Sequence, residues 1–288
     1  PLGPMIIQGI GAVLNLILDP LLIFGCGPVP PLGVAGAALA TVSGQLLGMT
    51  VGFFLVSGRK DLSLSPRRFR PSGDVIRDIY RIGLPAIVMQ SLAAFMTLGL
   101  NKIMALFSES AVFILGVYFK IQSFIFMPVF GLNNGLTPVV GYNYGARSRG
   151  RIVALIRFAL EIGVVIMAAG TLLLALFPHR FLQLFHAESN VRATGVSALR
   201  MISSGFVFAG VSVILCAAFQ AMGASMLSLA VSLSRQLVLI LPAALLLGRF
   251  SPRFMWLCFP IAELLSCLLA LLFYRKVYRE KLVPMSER

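Results

Sequence analysis

The sequence predicts an all-α polytopic membrane protein. Hydrophobic residues make up 58% of the 288 positions and charged residues only 12%, which leaves too little polar surface for a soluble domain of this length. The apolar residues fall in stretches of about 20, the length of a helix that crosses roughly 30 Å of hydrocarbon. Runs this long and continuous favour helices over barrel strands, because a helix satisfies its own backbone hydrogen bonds inside a bilayer.

Eight apolar stretches are predicted to be transmembrane helices. In chain order they cover residues 4–24, 33–57, 83–107, 113–143, 152–177, 194–221, 228–248 and 255–275. The segment 71–83, which precedes the third stretch, has aliphatic residues at helical spacing after Ser72, a helix-capping residue type. It predicts either a separate helix in the membrane interface or a simple basic linker.

The formal net charge of +14 comes mainly from short loops. Basic residues cluster in the connections 58–81 and 146–151 and in the tail from residue 275. These three segments fall on one side of the membrane if the spans alternate, so the positive-inside rule predicts that they and the C-terminus are cytoplasmic. No arginine-rich groove with interleaved aromatic residues is present, which argues against nucleic-acid binding.

The sequence gives no sign of an enzyme. Its four cysteines and two histidines lack the spacing of a metal site. It contains no phosphate-binding, dinucleotide-binding, zinc-protease or nucleophile-elbow motif, and the ionisable residues of the predicted spans are dispersed. We therefore expect no catalytic residues, no bound metal and no cofactor.

A weak internal repeat predicts two halves. Residues 4–25 resemble residues 225–248 at an offset of about 221, and internal duplication is common in transporters. On this basis residues 1–57 hold the last two helices of an N-terminal lobe and residues 58–82 form a cytoplasmic loop between lobes. Residues 83–288 then form a six-helix C-terminal lobe with a cytoplasmic tail, and four further N-terminal helices of the same protein are expected to be missing.

The stretch 131–146, GLNNGLTPVVGYNYGA, interrupts the fourth span with residues that weaken a helix. They are two glycine pairs four residues apart, a proline and three asparagines: Gly131, Gly135, Gly141, Gly145, Pro138, Asn133, Asn134 and Asn143. The proline predicts a bend and the glycine pairs predict close packing. Because amides avoid lipid, the asparagines are expected to line a cavity, with packing between helices as the alternative. A second ladder, Gly44, Gly48 and Gly52, predicts packing alone.

Ionisable residues inside spans need a physical reason. Lys120, with Gln122 nearby, is a candidate for the cavity or for a structural ion pair. Glu263 is a candidate for cation binding or for structural hydrogen bonding, and we expect it about two turns from the membrane surface. Asp19 precedes a proline, which favours an N-cap after a local helix break over ion coordination. Arg235 is expected in the inner half of its span, with its partner left open.

Four stretches resemble the multidrug and toxic compound extrusion (MATE) family, most of all its MepA-like bacterial branch. Residues 116–152 are similar to the family signature, and residues 14–25, 81–91 and 199–225 are also typical of it. The resemblance implies a twelve-helix protein of two lobes, of which this chain holds helices 5 to 12. It also implies a bacterial inner (plasma) membrane, a cavity between the lobes with alternating access, and export of small amphipathic cationic drugs by H⁺- or Na⁺-coupled antiport.

Two positions depart from that family pattern. Some sodium-coupled members carry Glu and Asp where this chain has Ala93 and Ala209. The resemblance therefore predicts that this C-lobe cation site is absent and leaves the coupling ion open. We expect the 288-residue chain alone not to transport. The alternative function is that of a lipid-linked precursor flippase of the same superfamily.

Overall fold

The computed structural model describes residues 2–25, 30–57 and 72–285, and most of these residues are helical. Its α-helices are α1 (Leu2–Phe24), α2 (Gly33–Ser57), α3 (Gly73–Phe107), α4 (Glu109–Gly145), α5 (Arg149–Leu176), α6 (Pro178–Leu184), α7 (Ser189–Ser203), α8 (Phe206–Ala221), α9 (Ser225–Leu233), α10 (Ile240–Phe250) and α11 (Cys258–Val277). Short π-helical segments, Ser234–Leu239 and Tyr278–Leu282, and a 3₁₀ turn, Phe254–Leu257, continue these helices.

The predicted all-α membrane fold is confirmed. Within the described residues, seven helical runs are long and apolar enough to cross a membrane, or eight if α7 and α8 together count as one span. The fold thus provides a span for each of the eight predicted stretches. The sidedness of the loops and the assignment of lobes remain predictions.

The sixth predicted span, 194–221, is formed by two helices with a bend between them. The chain bends by 43° between α7 and α8. Ser203 and Ser204 lie at the bend, and their hydroxyls donate to the carbonyls of Arg200 and Met201, at 3.1 Å and 2.7 Å. Such local bonds compete with the helical backbone pattern, and Gly205 follows them with the least helix propensity of any residue except proline.

The helix predicted within 71–83 is present from residue 73, but it is not separate from the third span. Residues 73–82, which the sequence assigns to a loop, are the first turns of α3, and α3 continues without a break to Phe107. Pro85 lies inside this helix. Proline there removes one backbone donor and favours a kink, but it does not end the helix. The first part of the predicted loop, 58–71, lies outside the described residues.

The chain divides into two compact units, Pro1–Ser72 and Gly73–Arg288. In the first unit α1 packs closely on α2 through the predicted glycine ladder. A Cβ atom at Gly44 would lie 2.7 Å from the Gly11 carbonyl oxygen, and one at Gly48 would lie 3.4 Å from the Ile7 carbonyl oxygen. The packing role predicted for this ladder is therefore confirmed.

Asp19 lies inside α1, and its predicted role as an N-cap is wrong. The helix runs unbroken from Leu2 to Phe24 through Pro20, because the loss of one backbone hydrogen bond does not outweigh an otherwise uniform apolar helix. The Asn15 side-chain nitrogen lies 3.5 Å from an oxygen of the Asp19 carboxylate. Asp19 thus has a polar neighbour one turn earlier on its own helix.

The second unit is built around α8. Most positions of α8 are buried, and it packs against α4, α5 and α11. Glycines permit the closest contacts: a Cβ at Gly210 would lie 2.7 Å from Cγ of Met167 in α5. Helices α4 and α11 both pack on α8, and residues of both border the cavities described next.

Candidate functional site

Two adjoining cavities lie within the second unit. The first, which we call the aromatic cavity, has a volume of about 380 Å³ and is lined among others by Tyr118, Phe119, Gln122, Phe126, Phe130, Arg235, Gln236, Phe259 and Glu263. The second, which we call the polar cavity, has a volume of about 310 Å³ and is lined among others by Gln90, Phe130, Asn133, Asn134, Thr137, Ser212, Gln220, Ser232, Arg235 and Gln236. Because Phe130, Arg235 and Gln236 line both, the two cavities meet at these residues.

Ring contacts hold the wall of the aromatic cavity. The Tyr118 ring packs edge-on against Phe259 with 4.9 Å between centroids, and Phe126 packs edge-on against Phe206 at 5.4 Å. Aromatic pairs prefer this edge-to-face geometry. The pairs join α4 to α8 and α11, so the cavity has a fixed wall that presents aromatic faces and edges.

Amides and hydroxyls line much of the polar cavity. The Asn133 side-chain nitrogen lies 3.4 Å from the carbonyl oxygen of Val213, and its side-chain oxygen is buried without a protein partner. The Gln220 side chain donates to the Ser228 hydroxyl at 3.0 Å. A buried amide oxygen without a partner is unusual, so this side of the cavity offers a free acceptor.

A buried ion pair lies where the cavities meet. Arg235 Nη1 is 3.5 Å from Glu263 Oε1, and the two side chains are only 20% and 14% exposed. The second carboxylate oxygen, Glu263 Oε2, is buried and lacks a hydrogen-bond partner. The pair joins α11 to the π-helical segment Ser234–Leu239. Segments of this kind are frequent at functional sites, since the extra residue in the turn redirects neighbouring side chains.

The lining of the two cavities is electrically balanced. Arg235 and Glu263 are the charged residues among those that line them, and their formal charges cancel. Within the described part of the chain, no cluster of three His, Cys, Asp or Glu side chains is arranged to hold a metal ion. The site can therefore bind through aromatic surface, through amides and through one arginine–carboxylate pair.

Four of the predicted cavity residues line these cavities. Gln122 and Glu263 line the aromatic cavity, and Asn133 and Asn134 line the polar cavity. The amides of the fourth span thus border a hollow, as the sequence led us to expect. Their role in binding stays a prediction.

Three other candidates lie elsewhere. Lys120 is exposed and outside both cavities, because its position on α4 falls beyond the edge of the face that carries Tyr118 and Gln122. Asn143 is buried more than one turn past the polar cavity, and its side chain donates to the Val139 carbonyl at 2.8 Å. Asp19 belongs to the first unit.

The prediction that the glycines of 131–146 pack closely against a neighbouring helix is largely wrong. A Cβ at Gly131, Gly135 or Gly145 would meet nothing within 4 Å among the described residues, whereas one at Gly141 would lie 3.6 Å from the Ala221 carbonyl oxygen. These glycines leave open space on α4 instead of admitting a neighbouring backbone. Helix α4 runs continuously through Pro138, and the predicted bend there remains a prediction.

The sequence did not identify Arg235 as a site residue. The available signal was that a buried arginine and a buried carboxylate each need a partner. The expected depths, with Arg235 in the inner half and Glu263 near the outer surface, kept the two apart. In the structure the last span runs from Phe254 to Leu282, and the packing of α11 on the π-helical segment brings the side chains together.

A multi-pass helical bundle that encloses polar cavities is the architecture of a membrane transport protein. Residues 85–246 match the MatE family. The chain belongs to this family of transporters.

Curated relatives agree with this assignment. The chain is 26% identical over 227 residues to the multidrug export protein MepA of Staphylococcus haemolyticus, which covers 77% of this chain and 49% of the relative. It is 28% identical over 251 residues to the FAD transporter of Shewanella oneidensis, which covers 85% of this chain and 54% of the relative. The chain therefore spans about half the length of the curated relatives it matches.

Solved structures share the fold. An outward-facing multidrug resistance MATE family transporter of the MOP superfamily matches with a TM-score of 0.85 and 25% identity, over 94% of this chain and 61% of that chain. A MOP superfamily transporter from Pyrococcus furiosus, described by the reverse polarity of its binding pocket, matches with a TM-score of 0.85 and 26% identity over the same shares, 94% and 61%. The predicted MATE-type fold is confirmed.

Proposed function

We propose that this chain is part of a secondary active multidrug exporter. In this proposal, small amphipathic drugs, cationic ones included, leave the cell in exchange for H⁺ or Na⁺ by alternating access between two lobes. The names of the curated relatives, multidrug export proteins and an FAD transporter, support export of small molecules. They do not favour the flippase alternative. The proposed location is a bacterial inner membrane, with the basic loops and the C-terminus in the cytoplasm.

The observation that carries the proposal is the Arg235–Glu263 pair at the junction of two cavities inside an apolar bundle. A carboxylate there can neutralise one cation at a time: the guanidinium, a proton, a metal cation or a cationic drug. Antiport needs a group that the drug and the coupling ion cannot occupy together, because each must displace the other. Glu263, with one oxygen unpartnered and an aromatic cavity beside it, has the properties of such a group.

Binding to the purified chain tests the drug site. We expect ethidium, a cationic aromatic dye, to bind saturably to the chain in vesicles, and Glu263→Gln to weaken binding about tenfold, because one charged contact is lost. The matched control is Glu161→Gln. Glu161 pairs with Arg157 at 2.9 Å on the surface, where the two side chains are 80% (Arg157) and 60% (Glu161) exposed. Equal ethidium affinities for the wild type and Glu263→Gln would remove Glu263 from the site.

Transport is tested separately because the chain spans about half the length of its curated relatives. We propose that export requires a protein of the relatives' length and that the 288-residue chain binds drug without moving it. Vesicles with an imposed pH or Na⁺ gradient measure this directly. Gradient-driven dye movement in vesicles that contain only this chain would contradict the length requirement and would identify the coupling ion.

A further inference from the structure

Arg235 has an unusual position, because it lines both cavities. In the polar cavity it is the charged residue among amides and hydroxyls, while Glu263 lines only the aromatic cavity. The guanidinium therefore presents a positive charge to the polar cavity, and no carboxylate among the described lining residues opposes it on that side.

The contact with Glu263 leaves much of the guanidinium available. An arginine side chain has five N–H donors. In the described structure one nitrogen, Nη1, meets one carboxylate oxygen at 3.5 Å, which is the long end of the hydrogen-bond range. A bidentate arginine–carboxylate pair would be shorter and would use two donors. The remaining donors of Arg235 are free to meet a ligand.

The surroundings define the ligand group. Arginine binds carboxylate and phosphate with a planar fork of donors, and the side-chain amides of Asn134 and Gln236 add donors to the walls around Arg235. Phe130, like Arg235, lines both cavities. A ligand with a flat aromatic body and one anionic group would meet matching chemistry in both cavities.

We infer that Arg235 determines the charge specificity of this site. It binds the carboxylate or phosphate group of an aromatic ligand whose ring system lies in the aromatic cavity. It also competes with cationic ligands for Glu263, and so lowers their affinity. The inference rests on the proposed function, since it takes the two cavities as the ligand site of an exporter. It adds a preference for anionic over cationic ligands, whereas a site with Glu263 alone would prefer cationic ligands.

Three anthracene probes test the inference on the full chain in vesicles. They share one fluorescent ring system and carry a carboxylate, a hydroxymethyl group or a trimethylammoniomethyl group. For the wild type we expect the carboxylate probe to bind about tenfold more tightly than the alcohol, the effect of one charge-assisted hydrogen bond, and the ammonium probe to bind more weakly than the carboxylate.

Substitution of Arg235 should reorder the probes. Arg235→Gln is expected to remove the advantage of the carboxylate over the alcohol and to tighten binding of the ammonium probe at least tenfold, since Glu263 is then unopposed. Glu263→Gln should keep the advantage of the carboxylate over the alcohol and weaken binding of the ammonium probe. The control is Arg200→Gln, because Arg200 is exposed, bonds the Ala175 carbonyl at 3.1 Å and lines neither cavity. It should leave all three affinities unchanged.

Melting temperatures and a second variant separate loss of binding from loss of folding. Melting temperatures show whether Arg235→Gln is intact, and Arg235→Lys retains the charge but loses the fork, so it should keep only part of the carboxylate preference. The inference is overturned if the wild type prefers the ammonium probe, or if both Arg235 variants leave the carboxylate-to-alcohol ratio unchanged. Either result leaves drug binding and export standing, whereas failure of every probe and of ethidium to bind would refute the proposed drug site as well.

Discussion

A close contact between the start of α8 and the backbone of α11 depends on Gly205, and replacement of this glycine by alanine should destabilise the protein. A Cβ atom at this position would lie 2.9 Å from Cα and 3.4 Å from N of Pro260, both backbone atoms of α11, and 3.5 Å from Cβ of Glu263. Non-bonded carbon atoms are optimally about 3.5–4.0 Å apart, so the backbone of α11 must move by roughly 0.6 Å or more. Backbone cannot rotate away as the end of a flexible side chain can.

The magnitude follows from the cost of overpacking. Adding atoms to a well-packed contact typically costs about 1–3 kcal/mol. For a unit of roughly 200 residues, each kcal/mol lowers the melting temperature by about 2–4 °C. We therefore expect Gly205→Ala to melt about 2–12 °C below the wild type. Gly205 has a right-handed helical backbone, with φ of −82°, so alanine introduces no backbone strain and the loss reports the contact.

Gly131→Ala is the matched variant with the opposite expected sign. A Cβ there would meet nothing within 4 Å, and alanine in a helix interior is about 0.5–1 kcal/mol more favourable than glycine. Melting can be followed by the labelling of the buried cysteines, Cys216, Cys258 and Cys267, with a thiol-reactive dye. The reasoning is refuted if Gly205→Ala melts at or above the wild type, or if Gly131→Ala loses more stability than Gly205→Ala.

Two further substitutions probe single polar contacts. Lys281 donates to the Met222 carbonyl at 2.8 Å, so Lys281→Ala should lower the free energy of unfolding by about 1–2 kcal/mol, measured by the same thermal labelling. Ser266 is fully buried and its hydroxyl has no partner; Ser266→Ala removes an unsatisfied group and should raise stability or leave it unchanged.

Each of these two variants has a control variant of the same residue type. Lys276 forms an exposed pair with Glu280 at 4.0 Å, so Lys276→Ala should change stability by less than about 0.5 kcal/mol. Ser212 is as buried as Ser266, but its hydroxyl donates to the Phe208 carbonyl at 2.9 Å, and Ser212→Ala should be the more damaging serine variant. A larger loss for Lys276→Ala than for Lys281→Ala, or for Ser266→Ala than for Ser212→Ala, would contradict these assignments.

The predictions that held depend on local composition. A run of about 20 apolar residues predicts a span wherever it occurs. Asn133 and Asn134 line the polar cavity, as expected for amides that need polar partners inside a membrane-spanning helix. The Gly44 ladder was also predictable, since α1, the helix that it packs against, directly precedes α2 in the chain. In each case the determining interaction lies within one helix or between two consecutive ones.

The predictions that failed needed knowledge of distant neighbours. Gly131 and Gly44 each belong to a series of glycines spaced four residues apart, but only Gly44 has a backbone packed against it. Lys120 was a candidate for the cavity or for a structural ion pair because it lies inside the fourth span, whereas the rotation of α4 leaves it exposed and outside both cavities. A helix face becomes a cavity wall only when other helices leave a gap beside it.

By itself, the sequence determined that this is a membrane-spanning helical protein of the MatE family, with few intramembrane charges and an amide-rich fourth span. The tertiary structure alone decided that Arg235 meets Glu263, and that the aromatic and polar cavities join there. The physical reason is the distance along the chain over which each interaction acts. Hydrophobic length and amide solvation act along one helix, whereas an ion pair between residues 28 positions apart depends on how a π-helical segment and α11 are rotated against each other.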